Sequence, residues 1–266
     1  MFYPMLQAFV ISFQNYNLVG STRSFIGLDN YKSLVTDRDF LASLRHSFHF
    51  CHRSDSDSDR DFTGLGTINP EKKFKLTGLF RTLYFIPVVI STAVAATVFK
   101  LIYNKEFGIL NNVLKTLHLP TTNFLSNPDT AMNGVIMLGI WKGVGFFMII
   151  FLAGLNNIPQ DLYEAARVDG ATKIQQFFRI TLPLLNRTTA FVVIMTTIDA
   201  IKLSGLVFVL TSGGPNGATE TAVYYIYKMA FQQMQMGYGT AAAFILFAIV
   251  LAISLVQMRL FRNAEH

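Results

Sequence analysis

At 266 residues the chain has room for one or two soluble domains, but 52% of it is apolar and only 14% charged, the balance of a bilayer protein. Its 22 Lys and Arg against 16 Asp and Glu leave +6, which in a soluble protein points to nucleic acid. Here the basic residues flank apolar runs and read as topology signals, so no nucleic-acid partner is expected. The single cysteine, Cys51, excludes an internal disulfide framework.

Residues 1–13, MFYPMLQAFVISF, are apolar but reach only about 20 Å as helix against about 30 Å of hydrocarbon, the length of a partial first span. The run has no basic n-region and no small-residue cleavage site, so no cleavable signal is expected. Residues 14–48 are mixed and turn-rich and end on the amphipathic run FLASLRHSF, a loop leading into a helix start. Residues 49–71, HFCHRSDSDSDRDFTGLGTINPE, differ from the rest. His46, His49, Cys51 and His52 have no second cluster at zinc spacing. Asp55, Asp57, Asp59 and Asp61 alternate as in a calcium loop but lack its sixth-position Gly and twelfth-position Glu. A solvated acidic-serine segment with an irregular backbone, not a regular membrane helix, is the expectation.

A basic stretch, 72–81, precedes an apolar span over 84–103, in which Pro87 is tolerated because neighbouring groups can satisfy the freed carbonyl. Residues 104–132 are polar and turn-rich with a short amphipathic piece. Residues 133–155 span again, and Gly134, Gly139, Gly143, Gly145 and Gly154 suit close helix packing. Trp141 and Lys142 interrupt this span.

The polar island NNIPQDLYEAARVDGATKIQQFFRITLPLLN, 156–186, has a local grammar. Pro159 suits the first turn of a helix over about 160–169, and Gly170 suits the left-handed position that ends one. Thr172 with Gln175 forms a capping box, starting a second helix whose apolar Ile174, Phe177, Phe178 and Leu182 recur at helical spacing before Pro183 ends it. Such a helix–turn–helix, tethered between two spans, buries its apolar face on another protein or lies in the lipid interface.

The next span, 188–210, contains Asp199 and Lys202, which at a spacing of three either neutralise each other or line an aqueous path. Residues 211–239 form a loop whose Gly213-Gly214-Pro215-Asn216-Gly217 lacks the Lys-Ser/Thr of a phosphate loop and reads as a turn. The last span, 239–261, ends on Arg259 and Arg262, so the C-terminus is expected to be cytoplasmic. No Ser/His/Asp or paired-carboxylate constellation stands in an aqueous segment, so the chain is not expected to be an enzyme.

Glu164-Ala165-Ala166, three residues, Gly170, nine residues, Ile180, one residue, Leu182-Pro183 resembles the EAA loop of binding-protein-dependent ABC importer permeases. IWKGVGFFMIIFLAGLNNIPQDLYEAARVDGA, LTSGGPNGATETAVYYIYKMAF and GYGTAAAF resemble the sugar-importer branch, of the maltose and glycerol-phosphate type. The resemblance implies an all-α, polytopic transmembrane bundle of the MetI-like kind with six core spans, and a permease domain over 72–266. It implies a heterodimer with a second permease, a cytoplasmic ATPase dimer, an extracytoplasmic solute-binding protein, the bacterial inner membrane, and no cofactor in this subunit. Glu164, Ala165, Ala166, Asp169, Gly170, Ile180, Leu182 and Pro183 are then the coupling residues. Trp141, Lys142, Asp199 and Lys202 are candidates beside the solute path. A membrane scaffold or sensor docking a partner through the same loop, without a path, is the alternative, as is a non-functional frameshifted permease.

Parity raises a conflict. Charge bias places 72–81, the 156–187 loop and the C-terminus on the cytoplasmic side, while 14–48, through FIGLDNYKSLV, resembles the family's external segment after the first span. The chain must cross between 48 and 72, where SDSDSDRD stands. With AGY serine codons, SDSDSD read one base later gives Val or Ala alternating with Thr or Ile. The shifted frame permits a run of about 22 mostly apolar residues, near the ~20 that a span needs. Residues 49–71 thus read as an out-of-frame copy of a lost span, and the chain as written should insert poorly.

Overall fold

The computed structural model describes residues 2–20, 23–65 and 77–263. Helix α1 (Phe2–Ser12) leads into a short antiparallel hairpin, β1 (Gln14–Tyr16) with β2 (Arg23–Phe25), pairing Asn15 with Ser24. Two helices follow, α2 (Asp29–Thr36) and α3 (Arg38–Leu65), with Asp37 between them. α4 (Thr77–Val89) and α5 (Thr92–Ile102) come next, then a short amphipathic α6 (Ile109–Thr116).

The long helix α7 (Pro128–Asn156) is the axis of the bundle, packing against α3, α4 and α5 and against two helices further along. Asn127 caps it by accepting from the Asp129 N–H, with Pro128 in the first turn, so it starts five residues ahead of the expected 133. Its glycines are where neighbours come closest. A Cβ on Gly139 would stand 2.6 Å from Phe50 Cζ, and one on Gly145 would overlap the Tyr84 carbonyl. Gly134 and Gly154 also face neighbours, whereas near Gly143 only Phe147 of the same helix is found.

α8 (Gln160–Val168), α9 (Lys173–Gln176), a π turn (Phe177–Thr181) and α10 (Leu182–Leu184) form the polar island. α11 (Asn186–Ile201) and α12 (Gly205–Leu210) then make one span length with an interruption at 202–204. α13 (Ala222–Tyr227), a second π turn (Lys228–Gln232) and α14 (Met236–Asn263) complete the chain. Among the described residues three stretches are long and apolar enough to cross a membrane, 128–156, 186–210 and 236–262, and α4 with α5 make a fourth if a bent pair counts as one. The fold is the expected all-α transmembrane bundle. One core cluster joins Phe50, Ala95, Tyr103, Val135, Leu138 and Val207; a second joins Leu34, Phe40, Ile201, Tyr225, Ala241 and Leu246.

Three expectations need correction. Residues 84–103 are not one continuous helix: the chain breaks at Ile90–Ser91 and α5 leaves α4 at 105°. Residues 49–65 are helical rather than irregular, continuing α3, which as a whole packs against α7 and α11. That helix is not among the apolar spans, and residues 66–71 lie outside the description. Pro183 does not end the second helix. The π turn before it makes the Leu182 N–H bond to the carbonyl of Phe177, five residues back, which widens the backbone where the proline ring would clash, and the path runs on into α11.

Candidate functional site

The 156–186 loop is built as its sequence dictates. Gly170 has φ +81°, the left-handed position after α8. The Ala171 N–H bonds to the Ala166 carbonyl at 2.9 Å and the Gly170 N–H to Arg167 at 3.1 Å, the paired bonds of a Schellman motif. Two residues on, the Gln175 N–H donates to Thr172 Oγ1 at 3.3 Å and the Thr172 N–H donates to Gln175 Oε1 at 2.8 Å, completing the capping box. Tyr163 and Thr181 share a hydroxyl hydrogen bond of 2.8 Å that ties α8 to the π turn.

Glu164, Ala165, Asp169, Gly170, Leu182 and Pro183 are exposed, and Ala166 and Ile180 half-buried. The loop also carries large apolar side chains in the open: Val168 is 88% exposed, Ile174 71% and Phe178 61%. Apolar area of this kind, gathered on a loop that is otherwise polar, marks a contact surface. The π turn was not legible in the sequence, because a one-residue expansion leaves the apolar spacing almost unchanged.

The second group of candidates lies where two spans are interrupted. Breaking a helix frees carbonyls, which inside a membrane must find donors. At the α4–α5 break, Lys142 Nζ donates to the carbonyls of Ile90 at 2.8 Å and of Pro87 and Val88 at 3.4 Å. Its neighbour Trp141 stacks at a tilt on Phe99 of α5, with centroids 5.1 Å apart. At the α11–α12 break, the Leu203 carbonyl accepts from Thr221 Oγ1 at 2.9 Å. The two breaks meet: a Cβ on Gly205, the first residue of α12, would stand 3.5 Å from Thr92 Cγ2, in the first residue of α5.

Asp199 and Lys202 sit at the end of α11, both exposed. Asp199 and Lys202 do not close an ion pair on each other, as Asp29–Lys32 and Glu220–Lys228 do. Mutual neutralisation by a direct pair is therefore not what the structure shows. Among the described residues no group of three or more His, Cys, Asp or Glu could hold a metal ion, and His46 Nδ1 lies 3.1 Å from the Glu220 carbonyl.

A polar tie that the sequence did not announce lies at the α2–α3 junction. Asp37 Oδ2 accepts from Tyr225 at 2.6 Å and Tyr238 at 2.7 Å, while Oδ1 accepts from the N–H groups of Asp39 and Phe40, capping α3. Burial acts to raise its carboxyl, but these four donors outweigh it and hold it below the usual 3.8. Burial first, then the Asp37 carboxylate, raises the Tyr225 hydroxyl.

Residues 66–265 match the family described as "Binding-protein-dependent transport system inner membrane component". The probable ABC transporter permease protein YurN of Bacillus subtilis is 36% identical over 98% of this chain and 91% of its own. The trehalose/maltose transport system permease protein MalF of Thermococcus litoralis is 33% identical over 97% and 87%. The sn-glycerol-3-phosphate transport system permease protein UgpA of Agrobacterium fabrum is 30% identical over 100% and 90%. A chain of a bacterial ABC transporter importing the acidic polysaccharide alginate superposes with a TM-score of 0.86 at 24% identity, over 99% of this chain and 90% of that one. Family match, relatives and fold agree: the chain belongs to the binding-protein-dependent transport system inner membrane components, the permease subunits of ABC importers.

Proposed function

We propose that this chain is one of two permease subunits of an ATP-driven importer for a sugar or a related polyol or glycerol-phosphate solute, coupled to its ATPase through residues 156–186. The observation that carries the coupling is the rigid turn between α8 and α9, closed by a Schellman motif and a capping box, which presents Val168, Ile174 and Phe178 uncovered between two spans. A groove on a cytoplasmic ATPase dimer covers that apolar face, and Glu164 supplies a charged contact at its edge. Arg167, Lys173, Arg179 and Arg187 in and beside the loop, with Arg259 and Arg262 at the far end of α14, put both on the cytoplasmic side of the inner membrane. The solute class follows from the names of relatives that transport trehalose and maltose or sn-glycerol 3-phosphate.

The solute passes along the spans 128–156, 186–210 and 236–262 against a second permease, after delivery by an extracytoplasmic binding protein. Asp199 and Lys202, exposed at the interruption of the second of these, face that path. Trp141 and Lys142 stand beside it at the α4–α5 break.

Copurification with the ATPase and second permease tests the reading, together with uptake of labelled trehalose, maltose and glycerol 3-phosphate into ATP-loaded proteoliposomes supplied with the binding protein. Assembly, and uptake of at least one probe that needs internal ATP, is expected. A chain that copurifies with neither partner, both as written and with the frame over 49–71 restored, refutes the assignment.

A further inference from the structure

We propose that Lys142 is a positioning residue that fixes the interruption of the span over 82–102 by donating to its three freed carbonyls, rather than a ligand of the solute. The inference rests on the permease reading only where it speaks of a solute.

Lys142 lies mid-way along α7, where an ammonium is costly unless it finds acceptors. It finds them on the neighbouring helix: the carbonyls of Pro87, Val88 and Ile90, all within 3.4 Å, use its three donors. Those carbonyls are open because α4 stops at Val89 and α5 starts only at Thr92, so the N–H groups four residues on are turned away from them. Gly145, one turn further along α7, lets the α4 backbone come close enough for this contact, since any side chain there would overlap the Tyr84 carbonyl.

Trp141 holds the other arm of the bend through Phe99. One dipeptide of α7 thus grips both halves of the broken span. Because Thr92 touches the start of α12 beyond the second break, the angle at Ile90–Ser91 also sets where the α11–α12 interruption stands. An ammonium committed to three carbonyls contributes geometry to the path instead of charge to the solute.

The experiment compares Lys142→Met and Lys142→Arg in the assembled transporter, in two arms. Hydrogen exchange of the peptide covering 86–95 reads the break directly and needs no solute. Met should speed exchange there at least tenfold, and Arg, which keeps the donors, should stay within threefold of wild type. Uptake of whichever of trehalose, maltose or glycerol 3-phosphate is transported gives the second arm. Met should lower the maximal rate at least tenfold while the half-saturating concentration stays within threefold, with Arg restoring most of the rate. Exchange unchanged by Met overturns the proposal, and so does a half-saturating concentration that moves while the maximal rate holds. If Met prevents assembly, exchange in Arg decides: protection lost in Arg overturns it, and protection kept upholds it. If no probe is transported, the solute reading fails and the exchange arm still decides the role of Lys142.

Discussion

Removing the Asp37 carboxylate is the perturbation with the clearest magnitude. It accepts two short tyrosine hydroxyl bonds, 2.6 and 2.7 Å, and two N–H bonds at the start of α3. Bonds to a charged acceptor are worth about 1.5–3 kcal/mol each, and an N-cap about 1 kcal/mol. The residue is only half-buried, so the low end is halved for screening, leaving about 1.5 kcal/mol for the tyrosine pair. Asp37→Ala should therefore cost about 2.5 kcal/mol. Asp37→Asn, which caps a helix equally well, should cost about 1.5 kcal/mol. The assay is thermal unfolding of the purified transporter, with Tyr225→Phe and Tyr238→Phe closing double-mutant cycles whose coupling to Asp37 should be about 0.5–1 kcal/mol. The pH dependence has a definite sign. A carboxyl held below its unfolded value of 3.8 adds stability that is complete above that value and is lost as pH falls through the lower, folded one. The gap between wild type and Asp37→Asn should stay constant from pH 8 to pH 5 and close only below 3.8. A gap of zero at pH 7, or one already closing between pH 7 and pH 5, refutes the reasoning.

Gly170→Val should weaken ATPase copurification while the spans still insert; nothing lies within 4 Å of a Cβ there, so the cost is the left-handed backbone alone, about 1–2 kcal/mol. Unchanged copurification and uptake would remove the loop from coupling. Gly145→Leu forces α4 off α7 and should destabilise by about 1–3 kcal/mol, read as a lower melting temperature of the complex. Tyr163→Phe breaks the tie to Thr181 and should lower ATP-driven uptake more than assembly, a comparison made on the same preparation.

What was legible in the sequence was local. Pro159, Gly170 and the Thr172–Gln175 pair each act within one turn of the backbone, so the helix–turn–helix of 156–186 could be drawn before any fold was known. The spans over 128–156 and 236–262 were equally plain from apolar length, and the small residues of α7 foretold close approach. The breaks were not legible. Pro87 could be accommodated or could end a helix, and the choice rests on Lys142, 52 residues beyond the Ile90 it caps. The Asp37 tie joins positions 188 and 201 apart, beyond the reach of any pattern. Asp199 and Lys202 share a helix spacing and Lys202 stands at the C-cap of α11, yet spacing alone could not say that no ion pair closes between them.

The acidic segment 49–71 is the last point where sequence and structure must be argued together. Through Cys51, α3 buries one face in the core, with Phe40, Leu44, Phe50 and Cys51 on it and Phe50 against Gly139 of α7. Its backbone then continues helically to Leu65 while the sequence turns to SDSDSDRD. At mid-bilayer its aspartates would cost about 2.5 kcal/mol or more each, far more than the packing of a half-apolar helix returns. We infer that residues 49–71 are an out-of-frame copy of a lost span, from a compensated frameshift or a sequence error, and that the frame one base later encodes that span. Sequencing the gene decides: Val, Ala, Thr and Ile should alternate in that frame with no stop before Lys72. An expression pair then follows, in which the restored frame should raise membrane-inserted yield several-fold over the chain as written. A stop codon or a polar run in the shifted frame refutes the inference, and the acidic helix would then have to be accommodated by a partner.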